Sequence, residues 1–89
     1  MRISSDNIMT YLMRCVEQGE FKKMTFSTYK RDRWISIVNM PLQQSYLVTE
    51  HGFNNNEEKL SDRKALYCWV NKALKREFRT NKTANFIKL

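Results

Sequence analysis

MTFSTYKRDRWISIVNMP, residues 24 to 41, sets two runs of β-branched and aromatic residues on either side of a polar tetrad. In the first run Met24, Phe26 and Thr28 alternate with Thr25, Ser27 and Tyr29, the period of two that sends successive side chains to opposite faces of a strand. Lys30 to Arg33, "KRDR", is the turn. The second run, "RWISIVNM", Arg33 to Met40, ends at Pro41, which has no N–H to give to a ladder. The stretch therefore predicts a β-hairpin. A third strand is expected in "SYLVTE", Ser45 to Glu50, before His51-Gly52 and an asparagine-rich loop, "FNNNEEK".

Working outward, the period on both sides becomes helical. Ile8, Tyr11, Leu12, Cys15 and Val16 form one apolar stripe, with Ser4 as N-cap, Ile3 and Ile8 as a hydrophobic staple and Gly19 as the stop. On the far side Leu66, Trp69, Val70, Ala73 and Leu74 repeat that spacing, with Phe78 one turn on. Leu60 and Ser61 supply staple and cap, and the helix is expected from about Asp62 to Phe78.

The expected fold class is thus α+β. It is a single small domain over residues 1–89, of order α-β-β-β-α, with a three-stranded antiparallel sheet and two helices packed on one face. Residues 80–89, containing "TANFIKL", are expected to dock as a tail or an edge strand. Double-stranded-RNA-binding domains share this order of elements. The chain lacks their Gly-Pro-x-His turn, having "KRDR" there, and "DRKALY" at the start of the second helix only loosely matches their lysine-rich one, so the likeness is one of topology and assigns no family.

With 42% hydrophobic residues, two glycines and one proline, the composition is that of an ordered domain. No apolar run approaches the roughly 18 residues needed to span a bilayer, and the start "MRISSDNIMTYL" lacks the apolar core of a signal peptide, so a cytoplasmic protein without membrane contact is expected. Cys15 and Cys68 stand far apart and outside any CxxC grouping, which points to reduced thiols and to neither a disulfide framework nor a metal site. No cofactor is expected.

The charge of +7 is unevenly placed. Residues 1–62 hold eight basic and eight acidic side chains, whereas residues 63–89 hold eight basic side chains against Glu77 alone. On a helical wheel Lys64, Asn71, Lys72, Lys75, Arg76 and Arg79 gather opposite the Leu66, Val70, Ala73 stripe and form a basic ridge. Such a ridge suits a phosphate backbone, which releases counterions to clustered cations. Lys64, Lys72, Lys75, Arg76 and Arg79 are therefore the expected nucleic-acid contacts, with Arg31 and Arg33 of the hairpin turn as auxiliaries. The same ridge suits an acidic protein surface, so a modulator or inhibitor of the kind phages and mobile elements encode is the alternative. A solvated helix face is the simplest explanation of the cations, but such faces commonly mix both signs.

Glu77 falls inside the apolar stripe, where it either marks fraying of the last turn or is held by a cation such as Arg14 or Lys82. The strand at Trp34 is apolar on both faces, with Ile35 and Ile37 on one and Trp34, Val38 and Met40 on the other. If Trp34, Tyr29 and Tyr46 share the face away from the helices, it can stack on unpaired bases or bury itself in a homodimer, unless the C-terminal tail covers it. His51 is the one histidine, and only residue type would pair it with Cys15 or Cys68. With no glycine-rich phosphate loop and no Ser-His-Asp order, no catalytic residues are assigned, and a non-enzymatic binding or regulatory protein is expected.

Overall fold

The hairpin read from residues 24–41 forms the middle of a larger sheet in the computed structural model, which describes residues 1–19, 21–28, 30, 32–78 and 82–89. The elements are β1 (Arg2–Ser4), α1 (Ile8–Gln18), β2 (Lys23–Ser27), β3 (Trp34–Met40), β4 (Ser45–His51), β5 (Asn56–Leu60), α2 (Arg63–Glu77) and β6 (Thr83–Lys88), with 3-10 turns at Ser5–Asn7 and Pro41–Gln43. The fold is a small α+β domain with two helices and an antiparallel sheet. That sheet has six strands, in the order β1-β6-β2-β3-β4-β5, where three were expected.

Each added strand has a physical reason. The last segment is no edge strand or surface tail: β6 lies between β1 and β2, with Ala84 opposite Ile3 and Phe86 opposite Phe26. Its return gives Arg2–Ser4 a partner, and the Met1 ammonium and carbonyl both bond to the Phe86 backbone. At the other edge β5, sequence NEEKL, pairs along β4 with Leu60 opposite Tyr46, although its first four side chains are exposed. An edge strand that carries Glu57, Glu58 and Lys59 is the usual form of one that resists pairing with a further chain.

Alternation then sorts the sheet into two faces. Ile3, Met24, Phe26, Ile35, Ile37, Val48, Ala84 and Phe86 point to the helices and join Ile8, Leu12, Val16, Leu66, Val70 and Ala73 in one core. Within it the Phe26 and Phe86 rings stack at 4.9 Å. Ser4 caps as expected, but it opens the 3-10 turn, and α1 proper begins at Ile8. Gly19 ends α1 with φ +68, the left-handed region open to glycine, and its N–H donates to the Cys15 carbonyl at 2.9 Å. For α2 the cap is Asp62, one residue past Ser61, and its carboxylate accepts from the Lys64 N–H at 3.3 Å.

The opposite face carries Trp34, Val38, Met40, Leu47 and Ile87 among Thr25, Ser36 and Thr49, and no helix of the described residues lies over it. Because the tail is a strand of the sheet, it extends this face and does not cover it. Among the described residues no helix is long and apolar enough to cross a membrane.

Candidate nucleic-acid interface

The geometry of α2 follows from its buried stripe. Leu66, Trp69, Val70, Ala73 and Glu77 face the core, which turns Lys64, Cys68, Asn71, Lys72 and Lys75 outward, and all five are exposed. At 1.5 Å per residue, Lys64 and Lys75 stand about 16 Å apart on nearly the same line. Neither they nor Lys72 forms an ion pair among the described residues. Lys72 also borders a groove of about 470 Å³ between α2 and β5, whose far bank carries Asn56 and Glu58.

Arg76 does not belong to that free line. It lies on the flank of the helix and grips Glu50 of β4 with two hydrogen bonds, Nε to Oε2 at 2.9 Å and Nη2 to Oε1 at 2.5 Å. The pair is lopsided, since the Glu50 side chain is fully buried and that of Arg76 is 41% exposed. Its guanidinium is still wetted, but its charge is answered from within the chain. Of the other expected contacts, Arg79 and Arg31 lie outside the described residues, as does Tyr29. Arg33 is half-buried, with its guanidinium 4.6 Å from the centre of the exposed Phe53 ring.

Glu77 has partners the wheel could not suggest. Its two carboxylate oxygens accept the backbone N–H groups of Phe53 and Asn54 at 3.0 and 3.1 Å, in place of the expected Arg14 or Lys82. It also hydrogen-bonds Glu50, so two fully buried carboxyl groups meet beneath the C-terminal end of α2. Burial, and then the bond to Glu50, push the Glu77 carboxyl above the usual range. Burial pushes Glu50 up as well, but the Arg76 hydrogen bonds and charge and the proton offered by Glu77 outweigh it and hold Glu50 below that range. The two carboxyls are thus pushed in opposite directions, with the Arg76 cation beside the one held low.

This cluster depends on Gly52. Its φ is +149, and a Cβ there would run into the Glu77 carboxylate and the Arg33 side-chain stem. The absence of a side chain lets the β4–β5 loop close down on Glu77.

The expected aromatic face is also redrawn. Trp34 is on the open face and stacks on His51 at 5.3 Å, ring planes 18° apart. Tyr46 is not there: it shares parity with Val48 and packs against the core on the helix side. The sheet likewise separates His51 from Cys15, buried in α1, and from Cys68 on α2. Compared with protein-family models, curated proteins and solved structures, the chain matches none of them.

Proposed function

We propose that the protein binds nucleic acid through the outward face of α2, with Lys64, Lys72 and Lys75 as phosphate contacts and Arg33 as an auxiliary. One observation carries this reading. The sole acidic residue between positions 63 and 89, Glu77, is turned inward and buried, so the exposed surface of that helix carries cations and no carboxylate. Three lysines along about 16 Å span the phosphates of a few nucleotides and hold them by charge, without reading sequence. Arg76 contributes less than its position suggests, because Glu50 already occupies the Nε–Nη2 edge of its guanidinium.

The binding role is regulatory or architectural and not enzymatic in this reading, in which the buried carboxyl pair serves the interior. Replacing Lys64, Lys72 and Lys75 together by alanine is expected to weaken duplex DNA and RNA alike by at least about tenfold at moderate salt. Lys59→Ala, on the other face of the sheet, leaves binding unchanged. Equal affinity in the triple variant would defeat the proposal, and an acidic protein retained on the parent after nuclease treatment, and lost from the triple variant, would assign the same lysines to that partner instead.

A further inference from the structure

On the face of the sheet away from α2, β2 offers only Lys23, Thr25 and Ser27, short or flexible side chains between bulkier neighbours. The result is a cleft of about 210 Å³ lined by these three, by Trp34 of β3 and by Ile87 of β6. Neighbouring strands stand about 4.8 Å apart, so β3 and β6 are about 10 Å apart with β2 between them. With the walls set one row apart along the strands, the cleft leaves room for one flat ring lying diagonally between them.

The walls are prepared for such a ring. His51, directly across from Trp34 on β4, stacks on the side of the indole turned toward β4. The other side, toward Ser27, is left to wall the cleft. Ile87, 49% exposed, stands one row along from Trp34, diagonally across β2, and supplies the second wall, while the hydroxyls of Thr25 and Ser27 form a polar floor. Lys23 stands at the mouth, and Arg2 lies in the same row as Asn85, Ser27 and Trp34. Strands β1, β6, β2 and β3 contain no aspartate or glutamate; the carboxylates of the sheet are all on β4 and β5.

We infer that this cleft is a stacking site for an unpaired base of a single-stranded nucleic acid, the base lying between Trp34 and Ile87 and the adjoining phosphate meeting Lys23. Aromatic platforms beside cations hold single strands in this way without demanding a sequence. A second copy of the chain fits less well, because each copy carries +7 and the strands set Arg2, Lys23 and Lys59 on this face against the one carboxylate of Glu57. The inference shares a ligand class with the proposed function but uses another surface, so each can fail alone.

The test is tryptophan fluorescence during titration with short oligothymidylate and oligouridylate, with a duplex of equal length as control. Trp34→Phe provides the blank, since its emission comes from Trp69 alone, and keeps a flat ring in place. Single strands are expected to quench the parent and not the blank. Affinity should fall on the order of tenfold in Trp34→Ala and only slightly in Trp34→Phe. The Lys64, Lys72, Lys75 triple-alanine variant should still be quenched through Trp34. Absence of quenching in the parent, or equal losses in Trp34→Ala and Trp34→Phe, would overturn the site even if the ridge binds duplex. So would sedimentation of the parent as a dimer that Trp34→Ser converts to monomer.

Discussion

Two residues concentrate the chemistry of the interior. Glu77 has a raised carboxyl pKa in the folded chain, so its contribution to stability is complete below the ordinary carboxylate value and is lost as pH climbs through the raised folded value. Glu50, held low by Arg76, contributes stability above the ordinary value that is lost as pH falls through its folded value. Denaturant midpoints measured against pH should show the parent losing stability as pH rises beyond the ordinary carboxylate range, at no more than about 1.4 kcal/mol per pH unit, the limit for one proton. Glu77→Gln should flatten that alkaline limb, and parallel curves for the two proteins would rule out Glu77 as its source. Gly52 shapes the loop that closes on these carboxyls. Gly52→Ala forces a side chain into a conformation at φ +149 and against Glu77, and is expected to cost about 1–3 kcal/mol by thermal or chemical denaturation. A neutral result would mean that the loop does not close on Glu77.

Among the elements, β6 decides how the termini are held. Phe86 is buried against Phe26 while its neighbour Ile87 faces outward. Phe86→Ala should therefore cost about 3–5 kcal/mol, whereas Ile87→Ala should cost under about 1 kcal/mol. Similar small losses at both positions would return the segment to a surface tail. The elements also show what local pattern can and cannot disclose. Met24–Met40 and both helices are legible because their periodicity of two or 3.6 records a single buried face. Strands β1 and β5 are not: RIS is too short to show a period, and NEEKL is exposed along most of its length, so both exist because a distant backbone pairs with them. The candidate site divides the same way. The basic ridge is visible on a wheel, but the Glu50–Arg76 pairing joins residues 26 apart in sequence, and the carboxyl pair spans strand, loop and helix. Residue type alone groups Tyr46 with Trp34, whereas its parity with Val48 sets it on the core side.

At the scale of the whole molecule, charge and shape separate into two surfaces. The helix layer presents a lysine line with the one acid of α2 folded inward, and the open face of the sheet presents an indole, a cleft with a polar floor and cations at the acid-free end. A chain of +7 should attract polyanions over a range set by salt, with the strength of the dependence counting the phosphates engaged. The measurement that tests the central claim most directly is the affinity for duplex DNA as a function of salt, for the parent and for the Lys64, Lys72, Lys75 triple-alanine variant. If α2 meets phosphates through these lysines, log K against log salt should be steep for the parent and shallower by about 2–3 in slope for the variant, at roughly 0.9 for each phosphate no longer neutralised. Coincident lines of equal slope and equal affinity would contradict binding through α2.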